Sequence, residues 1–139
     1  MTSDGTNAWA ARETAKARYD AAVAQSQEKQ RVVKAATADV EYRRAIVKSL
    51  EAALKKGSVA ESNVRSVRHD LEVAESQLAM AQCAQTMAEA DVREAAVEKV
   101  RSERELALLL KSGDDARAAV AELDQAYAAL MKEGGQQQA

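Results

Sequence analysis

About a hundred residues of helical pattern are interrupted by one strong break, Lys55-Lys56-Gly57 followed by Ser58-Val59-Ala60-Glu61. Two long helices joined by one reversal make a hairpin, so this break limits the chain to very few folds. Gly57 suits the left-handed conformation that closes a helix, and Lys55 and Lys56 suit the negative end of the helix dipole. Ser58 and Glu61 have the spacing of a capping box for the returning helix, which implies a turn of about three residues.

Composition supports an elongated helical fold over an ordinary globular one. Among 139 residues there is no proline or phenylalanine, one tryptophan (Trp9) and three tyrosines (Tyr19, Tyr42, Tyr127). The hydrophobic content of 47% is about half alanine, and charged residues make up 30%. Alanine mixed with Glu, Lys, Arg, Gln and Leu in heptad phase marks a long helix or coiled coil. No apolar run approaches the roughly 18 residues of a membrane span, and the first residues lack a signal-peptide pattern. The expectation is a cytoplasmic protein with no direct membrane insertion.

The reading is all-α: a long antiparallel two-helix coiled-coil hairpin with a short third helix packed at the open end. Helices are expected at about 7–56, 59–111 and 115–132, within one domain over 7–132, between a disordered segment 1–6 and a flexible tail 133–139. On the first helix, Tyr19, Ser26, Val33, Val40, Val47 and Leu54 recur every seven residues, with Ala22, Lys29, Ala36, Arg43 and Leu50 beside them. On the second, Val64, Leu71, Leu78, Gln85, Val92, Lys99 and Leu106 form one row. Val67, Ala74, Ala81, Ala88, Ala95, Ser102 and Leu109 form the other. The small residues of that second row let two backbones approach closely.

Ser112-Gly113-Asp114-Asp115 ends the second helix and offers Ser112 or Asp114 as the cap of the third. Ala116, Val120, Leu123, Tyr127 and Leu130 share one face, expected to cover Val97, Val100, Leu106, Leu110 and the region of Trp9. Gly134-Gly135 reads as the start of a frayed tail. A helix of about eighteen residues spans only about 27 Å, which leaves the middle of the hairpin bare.

A second apolar stripe lies in that middle. Val73, Met80 and Met87 repeat every seven residues away from the seam, with Ser76, Cys83 and Ala90 alongside. If residues equidistant from Gly57 and Ser58 are level, Ala35, Ala38, Tyr42 and Ile46 match them on the first helix. Two stripes at one height suggest a homo-oligomer or a partner helix.

Charge is also uneven. From Arg43 to His69 there are seven basic residues (Arg43, Arg44, Lys48, Lys55, Lys56, Arg65, Arg68) against Glu51 and Glu61. A basic tip suits an acidic protein surface better than nucleic acid, because no aromatic side chains interleave its charges. Arg43, Arg44, Lys48, Arg65 and Arg68 are therefore the candidate docking residues. No catalytic or metal constellation is legible: His69 has no second histidine or paired cysteine, Cys83 reads as a packing residue, and the five glycines form no phosphate loop. The expectation is a protein with no enzymatic activity and no cofactor.

The run Gly57-Ser58-Val59-Ala60 through Val64, Arg68, Leu71, Ala74, Leu78 and Ala81 resembles the hairpin tip and returning helix of TolC-type outer-membrane factors and HlyD-type adaptors. That resemblance implies a hairpin that docks through its turn. Ser49, Leu50, Ala53 and Ala60 stand where the adaptor tip has Arg, Leu, Leu and Ser, so Leu50 alone matches. Size and organisation resemble the type III secretion central-stalk proteins, the FliJ and YscO group, which implies engagement of an export ATPase and an export-gate protein. A phage or particle scaffolding or linker protein, with a particle shell as partner, shares the composition.

Overall fold

In the computed structural model the described residues are 3–110 and 114–138, with side chains described over 4–109 and 117–133. They form three helices, α1 (Ser3–Lys55), α2 (Glu61–Leu110) and α3 (Asp114–Gln138). The fold is all-α: α1 and α2 pack extensively as an antiparallel helical hairpin and α3 contacts α2. Contacts divide the chain into two compact units, one of residues 26–87 and one of residues 1–25 with 88–139.

Within residues 26–87 the seam follows the heptad rows. Val40 and Val64 are almost wholly buried, Val47, Ala74 and Ala81 are buried, and Leu50, Leu54, Leu71 and Leu78 are half-buried. The small side chains of Ala74 and Ala81 leave room for branched and long ones opposite, and each buried valine contributes roughly 1.5 kcal/mol or more. Calling the row of Val40 and Val64 position a puts Arg44, Glu51, Arg68 and Glu75 at position e. Across the helices Arg68 pairs with Glu51 at 2.8 Å and Arg44 with Glu75 at 3.9 Å. The residue numbers of each couple add to 119, whereas equal distance from Gly57 and Ser58 gives 115. Tyr42 is therefore level with Gln77 rather than Val73. A later start of α2 shifts the register in that direction.

The turn is longer than three residues and its chemistry differs from the expectation at one end. Gly57 has φ of +74°, Ser58 N–H donates to the Ala53 carbonyl at 2.9 Å, and Gly57 N–H donates to that of Leu54 at 3.0 Å. This pair of bonds is the Schellman motif, and it satisfies carbonyls that the last turn of α1 leaves open. The capping box is not formed. With α2 starting at Glu61, Ala60 occupies the cap position and Glu61 the first turn, so Ser58 and Glu61 stand too early for that motif. The Ala60 carbonyl instead accepts from Asn63 N–H at 3.1 Å.

In the other unit the heptad continues to the start of the chain. Gly5, Ala8 and Ala15 are buried, extending the rows of Tyr19 and Ala22, so α1 begins at Ser3 and not near residue 7. Ala88, Ala96, Ser102 and Leu106 are buried on α2. Ser102 donates its hydroxyl to the Lys99 carbonyl at 2.9 Å, and the Lys99 ammonium lies 4.6 Å from the centre of the Tyr19 ring.

The α3 helix runs antiparallel to α2, with Arg104 paired to Asp124 at 3.4 Å. Val120, Leu123 and Leu130 are half-buried, as are Val97 and Val100, and Val100 lines a groove with Leu130. Two expectations at this end fail. Trp9 is exposed, so α3 does not cover its region, and Leu109, expected in the seam row, is exposed as is Leu108; the side chain of Leu110 lies outside the described residues. The helix also continues through Gly134 and Gly135 to Gln138, 25 residues or about 37 Å, where a frayed tail was expected. Glycine inside a helix costs only about 1 kcal/mol relative to alanine, and the glutamines that follow are good helix formers. Ser112 and Gly113, expected to end α2 and cap α3, lie outside the described residues.

Candidate functional site

The two candidate surfaces both belong to residues 26–87, and the heptad assigns them to opposite edges of the hairpin. Position e and its outer neighbour b carry charge at eleven of seventeen helical positions. Positions g and c, on the other edge, carry charge at three of sixteen, namely Glu28, Asp39 and Asp70. The chain thus presents a charged edge tied by ion pairs and an apolar edge.

The basic residues between Arg43 and His69 do not act as one patch. Arg43 bonds both carboxylate oxygens of Asp39 at 3.2 Å, and Arg68 donates twice to Glu51, from Nε at 3.0 Å and from an outer nitrogen at 2.8 Å. With Arg44 on Glu75, three of the five candidate docking arginines and lysines already have carboxylate partners. Asp39 and Glu75 lie just outside the window from Arg43 to His69. Widening the window to residues 39–75 gives seven basic and seven acidic residues, so the excess charge is local to the turn. Lys48, Lys55, Lys56 and Arg65 are exposed and make no ion pair among the described residues. They surround a turn in which Gly57, Ser58 and Glu61 are also exposed.

On the apolar edge, Tyr42, Val73, Met80 and Met87 are exposed and Ile46 is half-buried, with the exposed Cys83 alongside at position f. Val32 belongs with them at position g and is exposed. It was missed because a single valine next to the seam valine Val33 has no period of its own. By the register of the ion pairs, Val32 is level with Met87 and Ile46 with Val73, so the edge is apolar on both helices at both heights.

Among the described residues no group of three or more His, Cys, Asp and Glu side chains is placed to hold a metal ion. No helix among them is long and apolar enough to cross a membrane. Three shallow grooves of about 350 to 360 Å³ lie on the unit that contains α3, one of them between α3 and the seam beside Tyr19 and Lys99. No family model matches the sequence, and neither the curated proteins nor the solved structures give a significant match.

Proposed function

We propose that this chain is a non-enzymatic coiled-coil assembly or adaptor protein, a stalk component of a bacterial secretion apparatus that docks on an acidic protein surface through its hairpin turn. The observation that supports this reading is the turn itself. A Schellman motif fixes its backbone, and the exposed Lys48, Lys55, Lys56 and Arg65 surround it without carboxylate partners. A rigid, locally basic end on a long helical pair is a good contact surface, because fixed charge steers encounter and a fixed backbone loses little entropy on binding.

The docking set is thereby narrower than the sequence alone suggested. Arg43 is engaged by Asp39 on its own helix and Arg44 and Arg68 by Glu75 and Glu51 across the hairpin, and the lysines with Arg65 act in recognition. Affinity capture from the native host tests the reading. An export ATPase or gate protein among the captured partners supports the stalk, a particle shell or tail protein supports the scaffolding alternative, and an envelope channel supports a conduit hairpin. Reversal of Lys48, Lys55, Lys56 and Arg65 to Glu should abolish the capture. Reversal of Lys16, Arg18, Arg117 and Lys132, equal in charge change and located in the other unit, should leave it intact.

A further inference from the structure

We propose that the apolar edge of residues 26–87 is a dimer interface, covered by a second copy of this chain. This goes beyond the docking turn, which lies elsewhere on the same unit and is not used here. Tyr42 is 66% exposed, Met80 73%, Met87 70%, Val32 47% and Val73 44%. At roughly 200 Å² for a large side chain, these five leave on the order of 600 Å² of surface in water. The exposed Ala35, Ala38, Ser76 and Cys83 beside them bring the edge close to the roughly 800 Å² per partner of a stable interface.

Three observations favour a copy over another occupant. The third helix already packs on α2 within its own unit, and the described residues contain no further helix that could cover this edge. The edge has little charge with which to select an unlike partner, and one of its three carboxylates, Asp39, is bound by Arg43. Its surface is also suited to itself. An isologous contact needs protrusions and hollows in one patch, and this patch sets Tyr42, Met80 and Met87 among Ala35, Ala38, Ser76 and Ala84. Two hairpins joined edge to edge make a four-helix bundle, in which each long side chain fills a space over an alanine or serine.

Sedimentation equilibrium of the full chain, with reductant present to keep Cys83 from forming a disulfide, tests the proposal. The expected mass is twice 15.0 kDa at micromolar concentration. Met80→Gln with Met87→Gln should return it to 15.0 kDa with unchanged far-UV circular dichroism. Leu108→Gln with Leu109→Gln, an exposed apolar pair in the other unit, should keep the doubled mass. A native chain that stays at 15.0 kDa up to hundreds of micromolar overturns the proposal, as does a dimer lost in the leucine variant and kept in the methionine one. Should the methionine variant lose helicity, Tyr42→Gln replaces it, and a full dimer in that variant also counts against the edge.

Discussion

Residues 26–87 and the unit of 1–25 with 88–139 are built from the same two helices in the same heptad phase, yet they are held together differently. The first buries valine and closes one edge with two ion pairs between helices. The second buries mainly alanine, with Gly5, Ser102 and one leucine, Leu106, and recruits α3 to supply what its thin seam does not. Alanine brings backbones close but removes little apolar area from water, so a seam of alanines gains less per turn than one of valines. A third helix compensates by adding a second line of contact, through Val120, Leu123 and Leu130. Where the seam is strong, α3 is not needed and one edge is left for other contacts.

The largest effect should come from the valine seam. Val40→Ala with Val64→Ala removes two side chains that are almost wholly buried and should cost about 3 to 5 kcal/mol, read from urea unfolding. Ala15→Gly with Ala88→Gly in the other unit, both buried on the seam rows, should cost only about 2 kcal/mol, mostly through helix propensity. Equal losses would mean that the alanine seam holds as much energy as the valine one, and the contrast would fail.

The turn comes next. A Cβ built on Gly57 meets nothing within 4 Å, so the cost of a substitution lies in the backbone and not in packing. Gly57→Ala should destabilise by about 1 to 2 kcal/mol because φ of +74° is unfavourable for an L side chain, and Gly57→Asn by less. Gly57→Val should cost the most of the three, since a branched Cβ is least tolerant there. Thermal melting in that order checks the claim, and Ser58→Ala should leave the melting temperature unchanged because Ser58 contributes its backbone N–H.

Most of this contrast was readable in the sequence, and the exceptions have physical causes. The rows of Val40 and Val64 were legible because valine and leucine at seven-residue spacing have no other economical explanation than a seam. Gly5, Ala8 and Ala15 continue the same rows but carry too little hydropathy to mark them, so the beginning of α1 was placed late. Ser58 and Glu61 match a capping box in spacing, but the Schellman motif uses Ser58 in closing α1, and two more residues pass before α2 can begin. The basic turn was overcounted for a different reason: Asp39 and Glu75 reach Arg43 and Arg44 from just outside the window, through helical and cross-helix proximity that a linear count misses. The exposure of Tyr42, Met80 and Met87 was legible from their phase alone.

The docking of α3 is of the same order as the turn. Leu123→Gln with Leu130→Gln removes two half-buried side chains and should release α3 at a cost of about 1 to 2 kcal/mol. Hydrogen exchange should then rise across 114–138 and at Val97 and Val100, with residues 26–87 unchanged. Rapid exchange spreading into 26–87 would show that α3 supports both units, and the division of labour described above would be wrong.

The smallest effects belong to the ion pairs on the charged edge. Glu51 and Arg68 meet at 2.8 Å through two hydrogen bonds, whereas Arg44 and Glu75 are 3.9 Å apart, and all four side chains are substantially exposed. Solvent screening holds such pairs to about 0 to 1 kcal/mol each, so what separates them is geometry. A double-mutant cycle to alanine should give a coupling near the upper end of that range for Glu51 with Arg68 and close to zero for Arg44 with Glu75. Raising the salt to about 1 M, where the screening length falls to about 3 Å, should shrink the first coupling and leave the second unchanged. A larger coupling for Arg44 with Glu75 would mean that the charged edge is held by its wider pair, and the register near 119 would have to be drawn from the seam alone.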